Sequence, residues 1–340
     1  MQRFFLGVLL LGIGLLASGC GGSERVTVIK LGHGLDPTHP VHQGMAFMAE
    51  DLAERSGGTM RIDIYPSEQL GTERQCLELL QIGSLGMTKV SGAVMENFAP
   101  AYQVLSLPYI FLNDDHKFAV FQGDVGRDLL TASEEFRLRG LTFYDAGSRS
   151  FYTKERPVQT PADLEGLKIR TQESATAMRM VDLLGGAATP ISWGELYTSL
   201  QQGVVDGAEN NPPSFYLSRH YEVARYYTLN EHTAVPDVLI VSTVVWNSLT
   251  AQQQQWLQEA ADASLVVQRR LWREASDEAL AAVVADGVEV IRPDKTPFVE
   301  QVNAMFEDYR DQPEIYALIE RIRALGQPET AASDTTASSP

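Results

Sequence analysis

Along the first half of the chain, short apolar or alternating runs take turns with longer segments of helical period. Val26–Leu31 has the pattern of a strand, Val41–Arg55 of a helix and Met60–Tyr65 of an alternating strand. Thr72–Gln81 is helical again, and Leu85–Val90 is strand-like. Gly57-Gly58, Tyr65-Pro66-Ser67 and Leu70-Gly71 punctuate the series as turns. This rhythm predicts a mostly parallel sheet with helices on both faces. A second set starts near Leu141 with Thr142-Phe143-Tyr144 and continues with Ser150–Thr153. The alternating run Leu167-Lys168-Ile169-Arg170 then delivers Arg170 to a strand end. A helix is expected from about Ser174 to Leu184. Another is expected from Ser192, with Trp193 in its first turn and Glu195 placed to complete a capping box. No fixed-period repeat is present.

From Thr250 to Asp286 the chain has neither Gly nor Pro for 37 residues. As one helix this run would extend about 55 Å at 1.5 Å per residue. That exceeds the need of one domain, so the helix is expected to lie along two. A mature chain of roughly 300 residues is also more than one typical core, which again suggests two domains.

The N-terminus carries a separate message. Arg3 precedes an apolar run from Phe4 to Ala17, followed by Ser18-Gly19-Cys20. This is the layout of an export signal, and the run is shorter than the roughly 20 residues that span a bilayer. Cys20 directly after Ala17-Ser18-Gly19 resembles a lipoprotein cleavage box, which implies a leader over 1–19, cleavage before Cys20, lipidation there and a short tether over 20–25, with simple secretion as the alternative. Cys76 then has no partner for a disulfide and is expected to be buried and inert among Leu77, Leu79, Leu80 and Ile82. The tail after Gln327 is small and polar, the composition of a disordered segment.

Charge narrows the partners. Loss of Arg3 leaves 26 basic against 44 acidic residues, a net charge of −18. Nucleic acid and anionic membrane surfaces are therefore poor partners. A small anion is not excluded, because local donors outweigh surface charge screened within a Debye length of ~8 Å.

The candidate chemistry lies between Asp163 and Phe215. Arg170 offers a planar cationic fork, Trp193 an aromatic plate, and Asn210 and Asn211 neutral amides just before Pro212-Pro213. A guanidinium matches a carboxylate bidentately, and amides read hydroxyls without adding charge. No nucleophile–base pair accompanies them, and no GxSxG, Walker, HExxH or GxGxxG signature is found. His39 and His42 share a helical spacing but have no acidic third ligand, a poor zinc site. No metal or cofactor is expected. His33 and His39 lie near the carboxyl end of the first strand, where ligands of parallel sheets bind.

The ordered set of a strand arginine after Gly166-Leu167-Lys168, the Pro190–Gly207 helix region and Glu209-Asn210 resembles a known family. It is similar to the solute-binding proteins of tripartite ATP-independent periplasmic (TRAP) transporters. The likeness extends from Lys30-Leu31-Gly32 through Tyr65–Gly71 and Ser106–Tyr109 to the C-terminal helices. It implies an α/β, two-lobed periplasmic-binding-protein-like fold with a long helix spanning both lobes. The lobes are expected at 26–147 plus about 236–268, and at 148–235 plus about 269–326. It further implies Arg170, Arg149, Asn210 and Trp193 as ligand contacts, with a membrane permease as partner.

"Glu-Asn-Asn-Pro" resembles the subgroup that binds sugar acids, with Asn211 as an extra amide. Glu73 begins a helix, where its charge also suits the dipole, and would accept from sugar hydroxyls. Lys89 stands in a strand where sialic-acid members differ, and is a second candidate donor. The reading is a receptor that closes on a hexuronate. The alternatives are a C4-dicarboxylate or keto-sugar acid receptor, and an exported sugar-acid lyase or isomerase using Lys89 or a histidine as base.

Overall fold

The computed structural model describes residues 26–327. The expected leader, Cys20 with its tether, and the tail beyond Gln327 lie outside the described residues. Among the described residues, eleven strands form two sheets. They are β1 (Thr27–Gly32), β2 (Met60–Tyr65), β3 (Met87–Ser91), β4 (Leu138–Tyr144), β5 (Arg149–Thr153), β6 (Lys168–Thr171), β7 (Ala187–Pro190), β8 (Gly207–Asn210), β9 (Tyr226–Thr233), β10 (Asp237–Ser242) and β11 (Glu289–Ile291). The first sheet runs β2-β1-β3-β10-β4 and the second β11-β9-β5-β8-β6-β7.

Both sheets are mixed, not mostly parallel as the local rhythm predicts. β1 pairs parallel with β2 and β3, but β10 lies antiparallel between β3 and β4. In the second sheet β5 is antiparallel to both β8 and β9. The cause is the chain path. It leaves the first sheet after β4, builds β5 to β9, and returns to insert β10 beside β3, a pairing no local pattern reveals.

The 35-residue helix Ala251–Ala285 is unbroken. Thr250 and Gln253 form a reciprocal capping box at its start, with bonds of 3.3 and 3.0 Å. The helix packs on Pro40–Arg55 and β4 on one side of the molecule, and on the helix Pro212–Leu217 on the other. Midway, Gln268 accepts from the Asp145 N–H at 2.9 Å and donates to the Asp145 carbonyl at 2.8 Å. Its side chain thus clamps the β4–β5 crossover. Beside it Gly147 has φ +56°, and a Cβ there would stand 2.9 Å from Trp272 Nε1, so only glycine fits both constraints.

The C-terminal helix Pro313–Leu325 differs from its expected place in the second lobe. It lies against Pro100–Ser106 and Asp114–Gln122 of the first half, because Ile315, Ile319 and Ile322 complete the apolar cluster that holds Leu105 and Phe118. Cys76 is buried, and burial pushes its thiol up to about 11, as befits an inert core residue. Among the described residues no helix is long and apolar enough to cross a membrane.

Candidate ligand-binding cleft

Strand ends and helix starts of both sheets meet at one cleft. The first-sheet side contributes Gly34, Glu68, Glu73, Lys89, Ser91 and Asp237; the second-sheet side contributes Arg149, Arg170, Gln172, Trp193, Asn210, Asn211 and Ser214.

Arg170 sits next to the end of β6 and is 2% exposed. Its Nε donates to the Ile191 carbonyl at 2.8 Å, while Nη1 is buried without a partner among the described residues. Nη2 donates to nothing among the described residues. The guanidinium stands 5.9 Å from the Trp193 ring centre. Burial lowers its pKa, the mark of a charge stripped of water and not yet compensated. The other described cations lining the cleft are Arg74, Lys89 and Arg149, and each has a carboxylate partner. Arg170 alone has none.

Arg149 is committed to the protein. It forms a fork on the Glu209 carboxylate, with an Nη2–Oε1 distance of 2.8 Å, and donates to Asn210 Oδ1 at 3.0 Å. Burial pushes the Glu209 carboxyl up, but Arg149 and His232 outweigh it and hold it down at about 2. Lys89 is likewise taken, lying 2.7 Å from Glu73 and 3.2 Å from Asp237. Burial opposes its charge, yet Asp237 and Glu73 lift the ammonium pKa above its ordinary value.

The two amides are oriented by their surroundings. Asn210 Oδ1 accepts from Arg149 and from the Asn211 N–H at 2.9 Å. Asn211 Oδ1 accepts from the Ser214 N–H at 2.9 Å and so caps the helix Pro212–Leu217. Asn210 Oδ1 thus accepts two bonds and Asn211 Oδ1 one, and the NH2 groups, without a partner among the described residues, are the donors left to face a ligand. Acceptors lie opposite. Glu73 uses Oε1 for Lys89 and Oε2 for the Ser91 N–H, and Asp237 Oδ2 accepts nothing among the described residues.

Trp193 lines the cleft, but the capping box expected at Ser192 does not form. The Ser192 hydroxyl donates instead to the Glu195 carboxylate at 2.9 Å, and Trp193–Glu195 is a 3-10 turn leading into the helix Leu196–Gln202. His33 and His39 are not among the residues lining the cleft. His33 Nδ1 accepts from the Leu35 N–H at 3.0 Å, so Nε2 carries the proton and meets His42 Nδ1 at 2.9 Å. His39 caps the helix Pro40–Arg55 through Nδ1 and reaches Ser214 Oγ at 3.3 Å, a link between the two halves behind the cleft wall. Among the described residues no group of three or more His, Cys, Asp or Glu is placed to hold a metal.

Asp237, Glu209 and Glu68 were not among the expected site residues. Asp237 had a legible signal: a lone acid opening the wholly apolar strand Val238-Leu239-Ile240-Val241 needs a buried cation. Glu68 had none.

Two sheets flanking a cleft, joined by one long helix and lined by a single uncompensated guanidinium, define a two-lobed receptor for a small organic anion. The chain belongs to the bacterial extracellular solute-binding proteins, family 7, which match it over residues 31–312. It is 38% identical over 305 residues to the uncharacterized protein YiiZ of Salmonella typhimurium, covering 88% of this chain and 92% of that one. A TRAP periplasmic solute-binding protein from Bradyrhizobium, in complex with α/β-D-galacturonate, is 37% identical with a TM-score of 0.85, covering 87% of this chain and 99% of that chain. One from Anaerococcus prevotii with bound α/β-D-glucuronate is 35% identical with a TM-score of 0.86, covering 88% and 98%. The expected fold and the TRAP likeness are both borne out. The chain is an extracytoplasmic solute receptor.

Proposed function

We propose that this receptor captures a hexuronate, D-glucuronate or D-galacturonate, and delivers it to a TRAP membrane permease. The observation that carries this reading is the buried guanidinium of Arg170, which has no carboxylate partner among the described residues. It needs one carboxylate, and two parallel N–H···O bonds to it would satisfy both free amine groups. The NH2 groups of Asn210 and Asn211 donate to ring or hydroxyl oxygens, and Glu73 and Asp237 accept from hydroxyls. Trp193 offers its face to the sugar ring. The likeness to receptors holding galacturonate and glucuronate supports the same class of ligand.

A C4-dicarboxylate fits less well. Its second carboxylate would have to draw Arg149 from Glu209 or Lys89 from Glu73 and Asp237, leaving a buried carboxylate uncompensated. Each hydroxyl acceptor left idle adds about 1–3 kcal/mol. Uronates should therefore bind at least ~100-fold more tightly than succinate or malate. An exported lyase or isomerase is also disfavoured, because Lys89 is held protonated between two carboxylates and neither His33 nor His39 lines the cleft to serve as a base.

The lobes close on the ligand because contacts come from both sheets at once, so that binding shifts an open–closed equilibrium. We further propose that a lipid on Cys20 tethers the receptor to the outer face of the membrane.

A thermal-shift panel with product analysis tests the function. Glucuronate or galacturonate should raise the melting temperature and be recovered intact, while dicarboxylates and neutral hexoses do little. Equal stabilisation by succinate would sink the uronate assignment, and a changed sugar would replace the receptor with an enzyme.

A further inference from the structure

We infer that Glu68 is a latch that holds the two lobes together across the mouth of the cleft. Glu68 lies in the loop after β2, on the first-sheet side. That loop is fixed to its own lobe by the Ser67 N–H to the Leu35 carbonyl at 3.1 Å and the Glu68 N–H to the His33 carbonyl at 3.0 Å. Ser67 and Glu68 have φ of 54° and 57°, a left-handed conformation that side-chain-bearing residues seldom adopt, here twice in succession. Such outliers persist where surrounding structure imposes them, often at clamps and switches.

The carboxylate crosses to the other lobe. Its Oε1 accepts the Gly194 N–H at 3.1 Å, in the turn that carries Trp193. Two glycines from opposite lobes leave it room. A Cβ on Gly194 would stand 2.3 Å from Glu68 Oε2, and one on Gly34 would stand 3.3 Å from Glu68 Cγ. Trp193 is packed at the same point, its Cδ1 3.5 Å from where a Gly34 Cβ would lie. Latching therefore also seats the ring beside Arg170. Glu68 acts through Gly194 and Trp193, as a positioning residue for closure.

The test compares lobe separation in ligand-free protein, so it does not depend on which solute binds. Spin labels at Glu54→Cys and Glu155→Cys, exposed positions on the two sides of the molecule, report the distance distribution in a Cys20→Ser background that retains the buried Cys76. Loss of one charge-assisted bond should reduce the closed-to-open ratio about tenfold in Glu68→Ala. Gly194→Ala should open the protein similarly by displacing the carboxylate, yet add little in the Glu68→Ala background, where its Cβ meets no carboxylate. Stopped-flow tryptophan fluorescence with D-glucuronate should then show faster dissociation with little change in association. Distributions identical in wild type and Glu68→Ala, or additive effects of the two substitutions, overturn the latch. Failure of glucuronate to bind would instead refute the uronate reading and leave the ligand-free comparison decisive.

Discussion

Replacing Arg170 separates what the residue does for the ligand from what it does for the fold. Its guanidinium is buried, Nη1 has no partner among the described residues, and burial disfavours its charge. The bound carboxylate would be the missing partner. Truncating one member of a buried charge pair costs about 3–5 kcal/mol, because the other is left uncompensated. In affinity this is a loss of roughly 200- to 5000-fold. The empty protein should respond oppositely. Arg170→Met keeps much of the volume and removes a charge that lacks compensation, so ligand-free stability should hold or rise. Each kcal/mol gained would lift the melting temperature by about 2–4 °C. Arg170→Lys should also lose most binding, since a point ammonium cannot make the two-pronged contact. Calorimetry with D-glucuronate measures the first effect, and scanning calorimetry without ligand the second. A change in Kd of less than threefold would remove Arg170 from the site. A large fall in ligand-free stability would show that it belongs to the scaffold.

Three further outcomes follow from the same geometry. Glu209→Gln should cost about 3–5 kcal/mol in denaturant unfolding, because it leaves Arg149 buried and unpaired; a loss below 1 kcal/mol contradicts the pairing. Burial lowers the pKa of His33 to about 2 and those of His39 and His220 to about 3. The unfolded chain therefore takes up protons below about pH 6.5 while the native one does not, so this stability is present above pH 6.5 and falls as pH drops towards 3. The slope is at most ~1.4 kcal/mol per pH unit for each histidine, and a flat unfolding free energy between pH 7 and 4.5 would refute their neutral burial. Cys20→Ser should release a soluble receptor that still binds, and the intact mass of membrane-extracted wild type should show an acylated N-terminal cysteine; an unmodified Cys20 rejects the anchor.

Much of the architecture was legible because it is locally encoded. The Thr250–Asp286 run has no breaker and starts with its own capping box, so its helix needed no tertiary information. Arg170 stood out through the strand that carries it and the ordered residues that follow. The commitments of Arg149 and Lys89 were not legible. Their partners Glu209 and Asp237 lie far along the chain, brought beside them by an antiparallel pairing of β5 with β8 and the return of β10 beside β3. The same return strand makes the sheets mixed. At Ser192 the local rule failed because a hydroxyl–carboxylate bond replaced the expected cap. The histidines of the first loop looked like ligand donors from position alone, whereas capping and loop bonds turn them inward.

The central claim is that a single carboxylate, held by Arg170, anchors a hydroxyl-rich ligand. Titration of the wild-type receptor with D-glucuronate and D-glucuronamide tests it most directly, since the two share every hydroxyl and differ only at the acid group, where the amide is uncharged and offers one acceptor oxygen in place of two. The amide should bind at least ~100-fold more weakly, the cost of leaving the guanidinium buried without its partner. Equal affinities would contradict the account.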